Sequence, residues 1–547
     1  MPKLIWILLL AQLLAACGGS SSAVSTQPVA MQPAPTPPTA SVLTDVLTYH
    51  NDNARTAQNL TESLLTLSNV NTAHFGLLRV LPADGLIDAQ PLLVTALSIG
   101  GKVRNVLFVA SEHGSVYSYD ADDGTALGHV SLLGSGEVPS DDRGCGQVTP
   151  EIGITATPVI DRGAGANGTL YAVTMSKDGS GKYYQRLHAL DLLTLHEQSG
   201  SPVTIQASFP GSGANSSNGQ VVFDPAQYKE RAGLLLLGGT VYTAWASHCD
   251  IAVYTGWIIG YDQKSLAQTR VLNVIPNGSD GAIWQSGGGM AADSQGNFYA
   301  LIGNGTFDVT LDAAGLPTSG DYGNAFVKIS SAAPLQVVDY FAMNNDVAES
   351  GGDVDLGSGA PLVLPDQQDA TGFVRHLAVG AGKDGHLYVV DRDHMGKFST
   401  GGNAIWQDLS GALPGGIWSA PAYFNGTVYY ADVGGTLKAF PITQAKLSTT
   451  PASQSSTTFA YPGASPAVSA SGANNGIIWA VESAPGQTAV LHAYDAANLG
   501  HELYNSNQAG AGADHFGSGN KFITPLIANG KVYVGTPNSV AVFALLH

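Results

Sequence analysis

The sequence predicts an all-β fold, an eight-bladed β-propeller, on three observations. Glycine is abundant, 67 residues of 547, and charged residues are sparse at 12%, the composition of many short strands joined by tight turns. Apolar residues alternate with small or polar ones at a period of two, and no long amphipathic helix interrupts them. Above all, one unit repeats along the chain.

The unit opens with a small residue, a proline and an apolar run. This element recurs as "AQPLLV" at 89, "ATPVID" at 156, "GAPLVL" at 359, "SAPAYF" at 419, "ASPAVS" at 464 and "ITPLIA" at 523. A second strand follows, such as "VLFVAS", "GTLYAV" or "GKVYVG", then a third, such as "SVYSYDADDG" or "LHAYDAAN". Two more units, "AGLLLLGGTVYTAW…GWIIGYDQKS" and "GGGMAADSQGNFYALIG…NAFVKIS", keep the later strands without the proline and bring the count to eight. Units of about 50–70 residues with three or four strands suit radial blades better than a solenoid. The last unit, 521–547, ends soon after its third strand. The segment 44–80 is therefore expected to supply the outermost strand of the last blade and close the ring.

Ahead of this body, residues 1–17 read as a lipoprotein signal peptide. Lys3 precedes "LIWILLLAQLLAA", an apolar run too short for a membrane span. It ends in "LAAC", which resembles a bacterial lipobox, so Cys17 is the expected lipidation site and mature N-terminus. Gly18 after the cysteine favours the outer membrane, on its periplasmic or cell-surface face. Residues 18–43, rich in Pro and Ser and without charge or aromatic side chains, read as a flexible tether, and 44–547 as the propeller. That setting is oxidising. Of the three cysteines, Cys145 and Cys249 remain, either paired with each other or as two buried thiols. With 23 basic against 42 acidic residues and a formal charge of −19, the surface repels phosphate backbones, which excludes nucleic acid as a partner.

The opening "YHNDNARTAQNLTESLLTLSNVNTAHFGLL" and the "YDADDG" and "HALD" turns resemble those of the pyrroloquinoline quinone (PQQ) dehydrogenase-like eight-bladed propellers, over roughly 44–545. The resemblance implies a calcium ion and PQQ at the tops of the blades. "ASHCDIAVYTGWIIGYD" stands where the family shows Ser-Gly-Ala-Glu, which puts Asp250 on the acidic calcium ligand, one carbon shorter. "GAIWQSGGGMAADSQGNFYALIGNGTFD" resembles blade 4 and puts Asn304 on the calcium asparagine and Trp284 beside the quinone ring. "GGDVDLGSGAPLVL" replaces a Trp-Asp-x-Asp segment, making Asp353 or Asp355 the catalytic base and Asp353 a further calcium ligand. "GAGKDGHLYVVDRDHMGKF" brings Lys383 to the quinone carbonyls, and "GGIWSAPAYFNGTVYY" places Trp418 at the pocket. The family keeps a disulfide beside the quinone, and the resemblance implies that Cys145 and Cys249 pair there.

The chemistry is coherent on its own terms. Calcium wants several oxygen ligands, a lysine stabilises charge as a quinone accepts electrons, a carboxylate takes a hydroxyl proton, and tryptophan gives a flat cofactor a flat wall. Each residue also has a plainer reading. Asp250 caps a turn, Asn304 sits in a Gly-Asn-Gly turn, "GGDVDLGSG" is a blade connection, Lys383 is a loop tip, and His248 is a structural histidine. "GASPAVSASG" is a repeat start, not a nucleophile elbow. The chain also departs from the family. It has no adjacent Cys-Cys pair and no Cys-x-x-Cys-His, so no haem is expected. Gly352 stands where a tryptophan precedes the catalytic Asp, and blade 4 carries the longer insertion "DVTLDAAGLPTSGDYG". Two functions follow as expectations. One is a calcium- and PQQ-dependent dehydrogenase of a small alcohol or sugar, passing electrons to a separate acceptor. The other is a non-catalytic lipoprotein scaffold that binds protein partners on its loops or strand edges.

Overall fold

The computed structural model describes residues 43–546. The expected signal peptide, Cys17 lipidation site and tether up to residue 42 lie outside them. The described residues form eight blades, each built on four antiparallel strands and four of them carrying further short strands, the all-β propeller expected from the repeats. Blade 1 runs Leu92–Ile99, Lys102–Ala110, Ser115–Asp120 and Ala126–Ser131. The innermost strands of blades 2 to 8 are Val159–Asp161, Leu235–Leu237, Ala291–Ala292, Leu362–Val363, Ala422–Phe424, Ala467–Ser471 and Leu526–Ala528. The proline of each repeat unit therefore sits at or just ahead of an innermost strand, where its missing N–H breaks no ladder.

The last blade is closed from the N-terminal side. Phe75–Pro82 pairs antiparallel with Ser539–Leu545, Phe75 opposite Leu545 and Pro82 opposite Ser539. The core is not one centre but eight apolar layers, one between each pair of neighbouring blades. Leu235, Tyr242 and Ile258 of blade 3 meet Phe298, Ala300 and Val327 of blade 4 in one of them. Alternate residues of each strand face the two adjacent layers, which explains the two-residue period on strands covered on both faces. Asp346–Gly351 is the one α-helix among the described residues, and no described helix is long and apolar enough to cross a membrane.

Residues 46–59 do more than lead into the closing strand. They run around the propeller axis and bond the innermost strand of every blade in order. Val46 exchanges backbone hydrogen bonds with Leu93, Ile160 N–H donates to Leu47, and Asn53 Nδ2 donates to Leu236. The N–H groups of Ala292, Val363, Tyr423 and Val468 donate to the carbonyls of Asn53, Ala54, Thr56 and Ala57. Asn59 Nδ2 completes the circuit on Ile527. Innermost strands present an unpaired edge to the axis, and this strap satisfies it. Arg55 fills its centre, 1% exposed, donating to the carbonyls of Met290, Leu234 and Tyr49 at 2.9, 3.1 and 2.8 Å.

Candidate functional site

The chain approaches each innermost strand from the end of the axis opposite the strap, and residues ahead of innermost strands (Lys229, Arg231, Trp284, Asp355, Trp418) together with residues just after second strands (Asp250, Asn304, Lys383) line a cavity of about 230 Å³. Asp250, Asn304, Asp353, Asp355, Lys383, Trp284, Trp418, Cys145 and Cys249 all reach it. Residues chosen from five different repeat units thus share one space.

In blade 3 the strand Thr240–Ser247 ends at Ser247, and the chain turns sharply, with Cys249 and Asp250 both at left-handed φ of 52° and 55°. Non-glycine residues hold that conformation only under constraint. Two constraints are visible. Cys249 is disulfide-bonded to Cys145 of the blade 1–2 connection, Cα–Cα 5.5 Å. Asp250 Oδ1 accepts from Ser247 Oγ at 3.1 Å and from the Tyr254 hydroxyl. His248 is buried, lies outside the cavity lining, and is kept neutral because burial and nearby Lys229 push it down to about 3.

The two aspartates of "GGDVDLGSG" part company. Asp355 is 3% exposed, accepts from Trp284 Nε1 at 3.1 Å, and leaves its buried Oδ1 without a hydrogen bond. Burial raises its carboxyl to about 6, Lys383 opposing, with Asp353 and Asp250 adding. Asp353 has φ of 57° and its side chain is 70% exposed at the rim, 2.8 Å from Lys383 Nζ. The calcium role implied for Asp353 by resemblance therefore meets a carboxylate already engaged with a lysine and turned outward, while Asp355 occupies the interior. Lys383 Nζ also lies 3.5 Å from Asp355 Oδ1.

Two side chains escaped the sequence reading. Lys229 and Arg231, from "YKERAG", are 1% and 4% exposed and line the cavity. Lys229 Nζ, Arg231 Nε and Arg231 Nη2 have no hydrogen-bond partner. Arg231 lies 5.1 Å from the Trp284 ring centre and 4.2 Å from that of Phe522, and Lys383 5.8 Å from Trp284, so cations edge the indole. Their signal was three consecutive charges in a chain that is only 12% charged. Across the mouth, the Tyr461 hydroxyl and Lys521 Nζ each donate to Gln147 Oε1 at 3.0 Å.

A second constellation imitates a catalytic site. Ser410 Oγ is 3.1 Å from His386 Nε2, and His386 Nδ1 is 2.7 Å from Asp408 Oδ1, the order of a nucleophilic triad. Blade 2 repeats it with buried Thr174 and His188 and an exposed Glu197, at 2.9 and 2.6 Å. Blade 7 holds His492 between Glu482 and Glu502 at 2.9 and 2.6 Å. A pattern shared by three blades is a clip that ties a blade's third strand to its surroundings.

Among solved structures, the chain is similar to the quinohemoprotein alcohol dehydrogenase of Comamonas testosteroni, with a TM-score of 0.60 and 15% identity over 91% of this chain and 80% of that one. A second quinohemoprotein alcohol dehydrogenase, from Pseudomonas putida HK5, gives 0.57 and 14% over 92% and 80%. A europium-containing methanol dehydrogenase gives 0.54 and 12% over 92% and 98%. At these identities the likeness is one of fold. No family model matches the sequence, and no curated protein does.

Proposed function

We propose that the axial cavity binds PQQ together with a metal ion, calcium or a lanthanide, and that the protein is a quinoprotein dehydrogenase of a small alcohol or sugar. The observation that carries this reading is the pair of buried, unpartnered cations, Lys229 and Arg231, aimed into a cavity with Lys383. Native proteins rarely leave buried charge unpaired, and a planar polycarboxylate answers it. The same cavity is lined by the oxygen donors Asp250, Asn304 and Asp355. Among the described residues no three His, Cys, Asp or Glu gather to hold a metal, so the protein supplies a partial shell that oxygens of the ligand complete.

When bound, the quinone would accept the two electrons of the alcohol. The chain's own part is to grip the carboxylates with Lys229 and Arg231, to offer Trp284 and Trp418 as flat walls, and to hold Lys383 near the oxygens that gain charge. Asp355 Oδ1, buried and free of hydrogen bonds, takes the substrate hydroxyl proton. The alcohol dehydrogenases among the similar folds support this class of substrate, and a separate protein or dye would receive the electrons. The lipobox supports tethering of this domain to the outer membrane through Cys17.

Reconstitution tests the reading. PQQ with calcium is expected to bind tightly and calcium alone weakly, and the loaded protein to reduce a dye with an alcohol panel. Asp355→Asn should keep PQQ binding while turnover falls about 10²–10⁴-fold. A protein that binds neither ion nor quinone, whether or not it is mutated, supports the scaffold reading instead.

A further inference from the structure

A second cavity of about 240 Å³ adjoins the first at the same end of the axis, and Gln147 lines both. Its walls come from the segments that lead into blades 1 and 8, from the connection between blades 1 and 2, and from the turns after the second strands of blades 7 and 8. Contacts run unbroken from one space to the other. Trp418 of the axial cavity meets the Tyr461 ring in a T-shaped arrangement at 5.9 Å. The Tyr461 hydroxyl and Lys521 Nζ, the latter in the second cavity, both donate to Gln147 Oε1 at 3.0 Å.

The polar side chains of the second cavity are held in fixed orientations by one another. An ammonium only donates, so Lys521 settles which end of the Gln147 amide carries the oxygen, and the Gln147 NH₂ is turned away from it. In the same lining Asp88 and Asn520 are 6% and 4% exposed, and Asn520 Nδ2 donates to Asp88 Oδ1 at 2.6 Å. That bond spends one oxygen of Asp88 and leaves Oδ2 to accept another. Leu86, Val148 and Pro537 share the lining with these groups. Oriented donors and acceptors set among apolar side chains fix a ligand's pose. They match a sugar ring, whose hydroxyl rim both donates and accepts while its C–H faces are apolar. A hydroxyl that donates to Asp88 becomes a stronger acceptor for a neighbouring N–H. A short alcohol has no second hydroxyl with which to reach these groups.

We propose that the second cavity is a carbohydrate subsite. It holds the second ring of a saccharide whose first ring carries the reacting hydroxyl into the axial cavity, with Asp88 and Gln147 as its polar contacts. As a substrate subsite it rests on the reading of the axial cavity as that of a dehydrogenase, and it narrows the substrate to saccharides of two or more rings. No bond is made or broken in the second cavity, whose contacts position the substrate and add remote binding energy.

The first test reads binding alone, in the full unloaded chain. Saturation-transfer NMR and calorimetry with maltose, cellobiose and lactose are expected to detect a disaccharide, with glucose binding more weakly. Asp88→Asn keeps the shape of the carboxylate but replaces an acceptor with a donor, and should weaken that binding about ten-fold. Gly146→Leu is an independent variant. Gly146 lines the second cavity, its φ is not left-handed, and a Cβ there meets nothing within 4 Å, so a leucine folds in place, crowds the space and lowers affinity too. If no disaccharide binds, or if both variants bind it as wild type does, the subsite is overturned. The second test loads PQQ and calcium and follows dye reduction. Both variants should lower kcat/KM for the disaccharide about ten-fold and leave that for 1-butanol within about two-fold of wild type. An equal loss on both substrates overturns the subsite and leaves the dehydrogenase reading intact. Asp88-dependent disaccharide binding by a loaded protein that oxidises neither substrate overturns the dehydrogenase reading, and the substrate role with it, while the carbohydrate site stands.

Discussion

The two ends of the propeller axis both bury cations, yet they treat them oppositely. At the strap end Arg55 spends its guanidinium on the carbonyls of Met290, Leu234 and Tyr49 and on Thr48 Oγ1. At the cavity end Lys229 and two nitrogens of Arg231 have no partner. A buried charge is tolerable when its hydrogen bonds are filled and expensive when they are not. Arg55 is therefore a structural pin, whereas under the proposed function the hydrogen-bonding groups left open on Lys229 and Arg231 are filled by the bound ligand. His50, also unpartnered at the strap end, does not blur the contrast, because burial and Arg55 push it down to about 3 and it stays neutral.

The largest expected effect is at the pin. Arg55→Met orphans several buried carbonyls at once and should cost about 3–5 kcal/mol of stability, read as a lowered urea midpoint. PQQ affinity of the folded fraction should stay within about two-fold of wild type. A large loss of affinity without loss of stability would show that strap and cavity are not independent, and the contrast drawn between them would fail.

The sequence showed unequal amounts of these two ends. Repeat counting exposed the blades, because each innermost strand begins near a proline and each strand keeps a two-residue period. The resemblance to the PQQ dehydrogenase-like propellers, rather than the repeat itself, singled out Asp250, Trp284, Asn304, Asp355, Lys383 and Trp418, all of which line the cavity. Residues 44–80 were legible as the closing strand, but their first half was not legible as a strap. Its bonds are mostly backbone bonds to eight distant strands, and no side-chain pattern announces them. Lys229 and Arg231 were missed because charge beside an apolar strand ordinarily marks a solvated turn. Asp353 and Asp355 were not separable, because a single left-handed residue at 353 decides which carboxylate faces inward.

The second prediction inverts the first. Lys229→Met replaces an unpartnered buried amine with an apolar chain of similar length, so the unloaded protein should be as stable as wild type or up to about 1–4 kcal/mol more stable. The sign with pH follows from its lowered folded value of about 7. Between about pH 7 and 10.4 the unfolded chain binds more protons at this lysine than the folded one, so wild-type stability gains a rising contribution across that window. Urea midpoints measured at several pH values should rise more steeply for wild type than for Lys229→Met. Equal slopes would mean that Lys229 is already paired in the unloaded protein.

The smallest effect tests whether the histidine clips belong with the pin rather than with the cavity. Burial lowers His492, but its bonds to Glu482 and Glu502 outweigh that and leave it raised. A raised folded value stabilises fully below the unfolded value of about 6.5, and the contribution is lost as pH rises through the folded value. His492→Gln should cost about 1–2 kcal/mol at pH 5.5 and less at pH 9, with PQQ affinity unchanged at both. A cost independent of pH would mean that the ring contributes by packing against Phe459 and Tyr494 rather than by its charge. A change in PQQ affinity would instead place the clip of blade 7 in communication with the axis, and the division between filled and waiting polar groups would no longer map onto position along it.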